Sequence, residues 1–130
     1  SGHPVACAVA IENIKIMKEE KLVERVRDDV SGYFAKALST LDDLPLVGET
    51  RSIGLLGGIE LVADKGARSK LDPVGTKGGL CRDKGFDAGL LMRACGDTMV
   101  LSPPLVITHE QIDELVSLAR RAIEETAAEL

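Results

Sequence analysis

Tryptophan is absent from the chain, and Tyr33, Phe34 and Phe86 are its only aromatic residues. A core must therefore be assembled from many small aliphatic pieces, drawn from 17 Leu, 13 Ala, 11 Val and 8 Ile among 130 residues. With few rings to stack on bases, scattered basic residues and a net charge of −5, nucleic-acid binding is not expected. No run of residues approaches the roughly 18 apolar positions a membrane-spanning helix needs. The C-terminal segment is acidic, not lysine-rich, so no membrane-surface helix is expected either. What is present is an apolar content of 45%, too high for a disordered chain. The length bounds the molecule to one domain or part of one.

Cysteine and histidine are also scarce. Cys7, Cys81 and Cys95 are odd in number and far apart, which excludes a disulfide framework and fits a reducing compartment. Cytoplasm is the expected location, and no signal or transit peptide is legible. His3 and His109 add no close ligand pair, so no metal site is expected. The chain begins at Ser1 without a methionine and runs at once through Gly2-His3-Pro4 into an apolar helix, which reads as a mark of truncation.

Pro4 suits the first turn of a helix, where its missing N–H would be unpaired anyway. Val5 to Ile11 is apolar throughout, and a helix apolar on all sides must be covered on all sides. A chain this short has few elements to spare for that cover. Glu20-Lys21 marks a junction to a second helix, in which Val23, Val26, Val30, Phe34, Ala37, Leu38 and Leu41 recur at three- and four-residue steps. Tyr33 and Phe34 read as core, and Asp42-Asp43 with Pro45 ends the helix.

The period then falls to two. Ile53, Leu55, Ile59 and Leu61 predict one strand, preceded by an extended segment over Leu46–Arg51. Gly54, Gly57 and Gly58 within it imply close approach of a neighbouring backbone or helix. Ala63 to Gly75 reads as a surface loop. Thr76 to Lys84 predicts a weak helix stopped by Gly85. Leu90–Arg93 and Thr98–Leu101 predict two short strands joined by a four-residue loop, Ala94-Cys95-Gly96-Asp97. Thr108 with Gln111 forms a capping-box pattern that opens a last helix. The expected architecture is α+β, with helices packed on one face of a small antiparallel sheet.

Chemistry is sparse. Gly54-Leu55-Leu56-Gly57-Gly58 lacks the spacing of a dinucleotide loop, and Gly75-Thr76-Lys77 has the wrong order for a phosphate loop. No serine has a nucleophile-elbow setting, and neither histidine has a partner in sequence. Ser1, Gly2 and His3 read as caps of the first helix. Arg93 alone has a suggestive place, ending a strand at the mouth of the hairpin. There it could offer a ligand carboxylate a fork of two hydrogen bonds, or pair with Asp97 across the turn.

Four separate words occur together and in order: Ser1 to Ala10, Gly54 to Leu61, Met92-Arg93-Ala94-Cys95-Gly96-Asp97, and Leu101 to Leu105. Together they resemble the C-terminal part of a class III, ω-type aminotransferase, a pyridoxal-phosphate enzyme of the aspartate-aminotransferase fold. The resemblance spans essentially the whole chain. It implies that residues 1–21 are the helix leading from a cofactor domain and that 22–130 are the small α+β domain of a fold-type I enzyme. It also implies that Arg93, in the R-A-x-G-D word, binds the substrate carboxylate and swings aside for substrates lacking one. The glycines at 54, 57 and 58 match glycines of the family's small domain.

The same resemblance implies that much lies elsewhere. The Schiff-base lysine, the aspartate facing the pyridine nitrogen and the ring stacked on the cofactor belong to a segment preceding Ser1. The threonine that reaches a neighbouring subunit's phosphate does too. None of the eight lysines here has the right context, so this chain carries no catalytic or cofactor-binding residue and is expected to be inactive alone. The implied parent transfers an amino group between an amine or ω-amino acid and pyruvate or another 2-oxo acid, and assembles as a homodimer or homotetramer. The other reading is a standalone α+β domain that binds a ligand or partner without catalysis. The apolar turns from Val5 to Ile11 favour the first.

Overall fold

In the computed structural model, which describes residues 2–129, Pro4 opens helix α1 (Pro4–Glu19). The His3 carbonyl accepts from the Cys7 amide at 3.0 Å, while the His3 side chain makes no capping bond. That bond is the first of the helix itself, so the cap expected of the His3 side chain is not made; the part expected of Ser1 lies outside the described residues. No side chain of α1 is buried, and Val5, Val9 and Ile11 are 65%, 64% and 58% exposed. The helix breaks where Lys21 takes a left-handed conformation with φ 51°, at the expected junction.

Beyond Lys21 the backbone stays right-handed through α2 (Leu22–Arg25), a π-helical turn (Val26–Val30), α3 (Ser31–Ser39) and a 3₁₀ turn (Thr40–Asp43). Val30, Phe34, Leu38 and Leu41 form the buried stripe of this rod. Its flank is tied to the start of the last helix, α5 (His109–Ala127). Arg25 donates to the carbonyls of Leu105 and Ile107 at 2.8 and 2.7 Å. Tyr33, expected in the core, is only half-buried: its ring stacks on His109 at 4.1 Å and its hydroxyl donates to Asp113 at 2.8 Å. A phenol needs a polar partner when it leaves water, which holds it at the rim.

The single strand predicted over Ile53–Leu61 is instead a hairpin of β1 (Val47–Ile53) and β2 (Leu56–Leu61), turning at Gly54-Leu55. Gly54, at φ 56°, takes the first central position of the turn, where a side chain would be strained. The two-residue rhythm continued unbroken through the turn, which concealed it. The extended reading of Leu46–Arg51 falls largely within β1. After a loop with one isolated bridge, Asp64 to Ser69, come α4 (Thr76–Asp87), β3 (Arg93–Cys95) and β4 (Thr98–Leu101). The four strands are antiparallel in the order β1-β2-β4-β3.

Gly57, Ile59 and Leu61 of β2 and Met99 and Leu101 of β4 are buried under the helices. α3 packs against β1, α4 against β3 and β4, and α5 lies against both α3 and α4. This is the expected α+β arrangement. Gly57 shows the close approach foreseen for the glycines: a Cβ there would lie 2.8 Å from Phe34 Cζ and 3.0 Å from Leu38 Cδ2. Gly58 has ordinary space above it.

Three boundaries differ from expectation. α4 does not stop at Gly85; it runs on to Asp87, and Gly89, left-handed at φ 88°, follows its end. Gly85 is a packing glycine, since a Cβ there would meet Met92 Cε at 2.8 Å and the Leu90 carbonyl at 3.1 Å. Leu90 and Met92 are buried against α4 instead of paired, so β3 starts at Arg93 where a strand was expected to end. Ala94 and Cys95 belong to that strand, and the hairpin loop shrinks to Gly96-Asp97. The capping box is as expected: Thr108 N donates to Gln111 Oε1 at 3.0 Å and Gln111 N to Thr108 Oγ1 at 3.2 Å.

Cys81 is fully buried, while Cys7 and Cys95 are exposed. Burial pushes the Cys81 thiol up to about 11 from an ordinary 9.0, with the Thr126 hydroxyl pulling slightly back. Between these values the unfolded chain releases a proton that the folded chain keeps, so stability falls as pH rises from 9 towards 11. In a disulfide-exchange assay of the chain at neutral pH, two thiols should react fast and the third only on unfolding. Three fast thiols would contradict the buried position of Cys81.

Candidate functional site

Arg93 opens the edge strand β3 and pairs with Val100 of β4, which pairs with Gly58 of β2, which pairs with Arg51 of β1. Because strand residues alternate between faces, these four share the sheet face turned away from the helices. The two arginines of the row differ in what they meet. Arg51 is neutralised on the spot: it bonds Glu49 in its own strand and Glu60 at 3.2 Å. Those two carboxylates hold the Arg51 guanidinium above its ordinary range.

Arg93 has no carboxylate or carbonyl partner among the described residues. Most of the other arginines do: Arg25 on loop carbonyls, Arg27 on Asp28, Arg82 on Asp83, Arg120 on Asp43 and Arg121 on Glu125. Arg68, on the surface loop, resembles Arg93 in lacking one. Arg93 differs in lying on a paired strand, beside an open groove of about 660 Å³ lined also by Arg82, Leu91, Met92, Val100 and Ser102. An unpartnered cation beside an apolar floor suits a ligand with a carboxylate at one end and carbon at the other.

The alternative partner weighed for Arg93 is engaged elsewhere. Asp97 Oδ2 accepts from the Gly75 amide at 2.7 Å and Oδ1 from the Gly78 amide at 2.9 Å, so Asp97 closes the N-terminus of α4. A carboxylate is favoured there because free amides and the helix dipole point at it. Sequence reasoning missed this role, since Asp97 and α4 are some twenty residues apart. The available signal was a helix start at Gly75-Thr76 without a capping side chain of its own.

The profile described as "Aminotransferase class-III" matches residues 1–123, and the chain belongs to that family. It is 52% identical over 128 residues to the putrescine–pyruvate aminotransferase of Pseudomonas aeruginosa, covering 98% of this chain and 28% of that protein. It is 41% identical over 126 residues to the mitochondrial gamma-aminobutyrate transaminase 1 of Solanum lycopersicum, covering 97% and 24%. Among solved structures, a transaminase with L-ala superposes with a TM-score of 0.91 at 43% identity, over 99% of this chain and 30% of that one. The omega transaminase from Pseudomonas jessenii in complex with PMP gives 0.91 at 36%, over 98% and 28%. The chain therefore spans 24% to 30% of the length of these relatives.

Class III aminotransferases use pyridoxal phosphate. Among the described residues, those that line the groove beside Arg93 do not make a site for it. No lysine lines the groove beside Arg93. Lys77 and Lys84 are turned to Glu129, Lys15 to Glu12 and Lys65 to the Asp42 carbonyl. No aromatic ring of the described residues lines that groove either: Phe34 is buried, Tyr33 is stacked on His109, and Phe86 lies outside it. No helix of the described residues is long and apolar enough to cross a membrane.

Proposed function

We propose that this chain is the C-terminal small-domain part of an aminotransferase that moves an amino group between an amine or ω-amino acid and pyruvate or another 2-oxo acid. Residues 1–21 link it to a cofactor-bearing part, and residues 22–130 form the small domain. Arg93 holds the substrate carboxylate. The observation that carries this reading is an arginine with no partner on the described residues, standing on a paired strand over an apolar groove. Membership of the family and the printed activity of the 52% identical relative support the substrate class.

The part played by this chain is binding and orientation. A guanidinium offers two parallel N–H donors that fit both oxygens of a carboxylate, which fixes the attached carbonyl carbon in direction as well as in place. A substrate without a carboxylate would leave a cation facing carbon, and the exposed position of Arg93 lets it turn to solvent in that case. The cofactor of the complete protein supplies the electron-sink chemistry, and no step of it falls to a residue here.

The exposed apolar side chains of α1 support the assignment of the first helix as a link, since a self-sufficient domain of this size would not leave them in water. They count equally against a standalone binding domain. The complete protein is further proposed to assemble as a homodimer or homotetramer and to reside in the cytoplasm, where three separated thiols stay reduced.

Incubating the complete protein with putrescine and pyruvate should yield alanine. Residues 1–130 alone should yield none. Incubated with pyridoxal phosphate, dialysed free of excess cofactor and only then reduced with borohydride, they should also carry no stoichiometric adduct at a single lysine. No alanine from the complete protein with any of a panel of diamines and ω-amino acids would overturn the substrate reading. A stoichiometric adduct at a single lysine of the isolated chain would overturn the assignment of cofactor chemistry to the missing part.

A further inference from the structure

The segment carrying Arg93 is short and is held by unusual means. β3 makes only three residue pairs, all with β4, and its other edge is open. Three pairs of an edge strand are a weak hold for a side chain that must meet a ligand in one orientation. Besides the Leu61 amide, which donates to the Asp97 carbonyl at 2.9 Å, the constraint comes from α4, at two points. On the N-terminal side of Arg93, the Leu90 amide donates to the Gly85 carbonyl at 2.8 Å, and Met92 Cε lies 2.8 Å from where a Cβ of Gly85 would be. On the C-terminal side, the Gly96-Asp97 turn sits on the first turn of the same helix.

That second contact leaves no room. A Cβ at Gly78 would fall 2.0 Å from the Gly96 carbonyl oxygen and 3.0 Å from Asp97 Cα, both main-chain atoms that cannot rotate away. Into this approach Asp97 reaches with both oxygens, one to Gly75 and one to Gly78. Gly78 and Gly85 are seven residues apart, so α4 grips the Arg93 segment at points about 10 Å apart along its axis. Every one of these contacts is between α4 and the chain on either side of Arg93. Of the residues making them, only Met92 also lines the groove.

We infer that Asp97 is a positioning residue for the reaction: by bridging the Gly75 and Gly78 amides it seats the Gly96-Asp97 turn on α4 and thereby fixes the direction in which β3 presents Arg93 to a substrate carboxylate. The inference rests on the reading of Arg93 as the carboxylate-binding residue. It adds that helix α4, with no residue reacting, sets how well carboxylate substrates are oriented.

The test uses the complete enzyme and two substrate pairs, one with pyruvate as acceptor and one with a simple amine and an aldehyde, neither bearing a carboxylate. Asp97→Ala should raise KM for pyruvate about tenfold and leave the carboxylate-free pair within about twofold, because a misdirected arginine matters only to the group it binds. Asp97→Asn keeps one acceptor oxygen and should fall between wild type and alanine. A loss shared equally by both pairs is what a merely structural cap would give, and would overturn the inference.

Arg93→Ala is measured alongside. A selective effect there with an unselective Asp97→Ala overturns the role of Asp97 only. An unselective Arg93→Ala overturns the reading of Arg93, and the inference with it. If Asp97→Ala does not fold, the asparagine variant decides alone: a pyruvate-confined rise of about threefold supports the role, and no pyruvate-confined change removes it.

Discussion

Phe34→Ala should destabilise the fold by about 3–5 kcal/mol, the largest loss expected from any single truncation here. Phe34 is the one fully buried aromatic ring in a core otherwise made of aliphatic side chains, methionine and Cys81. It fills the space between α3 and β2, and the strand has adapted to it by carrying glycine at 57, directly beneath the ring. Neighbouring Leu, Ile and Val side chains are short and cannot reach across the gap that truncation leaves. The void would therefore persist, and the cost of a cavity adds to the lost burial.

The same contact predicts coupling. Gly57→Ala should destabilise the wild type, since a new methyl would lie 2.8 Å from the ring edge. In the Phe34→Ala background the ring contacts are gone and only Leu38 Cδ2, the end of a flexible side chain, remains close at 3.0 Å, so the substitution should cost less. A double-mutant cycle from denaturant unfolding curves checks this. Strict additivity would mean that Phe34 and Gly57 do not share the contact.

Those two residues also show what sequence could and could not convey. The helical stripe Val30-Phe34-Leu38-Leu41 was legible because its period is set by backbone geometry alone. That something must press on the glycines of β2 was legible too, though not which one: Gly57 bears the ring, Gly54 turns the chain and Gly58 lies open. The hairpin at Gly54-Leu55 was not legible, because apolar residues alternate straight through it. Gly85 looked like a helix stop, yet it serves packing against Leu90 and Met92, contacts that arise only once the chain has folded back.

The candidate site divides in the same way. Arg93 could be picked out from its word, but its boundary was reversed: it opens β3, and the residues thought to lead into it are buried beneath α4. Its choice between a ligand and Asp97 was undecided by spacing. The answer came from α4, whose first amides take both oxygens of Asp97 and leave no carboxylate of the turn for Arg93. Such competition for one carboxylate is a tertiary fact, invisible to local pattern. Nor could sequence alone tell Arg51 from Arg93, although both occupy one row of the sheet and only Arg51 is bound by Glu49 and Glu60.

The second large effect is expected at Arg93 itself. Charge-assisted hydrogen bonds contribute about 1.5–3 kcal/mol each, so losing a forked pair from the bound state should cost on the order of a hundredfold in kcat/KM. Arg93→Lys keeps the charge without the fork and should recover only part of that loss. No comparable stability change should follow, because the side chain is exposed and holds nothing else among the described residues.

The most direct measurement is the ratio of kcat/KM for pyruvate to kcat/KM for a carboxylate-free aldehyde, compared between the complete wild-type enzyme and Arg93→Ala. The ratio should fall about a hundredfold, with the aldehyde reaction nearly unchanged. An unchanged ratio, with both reactions reduced alike, would contradict the assignment of Arg93 to the substrate carboxylate.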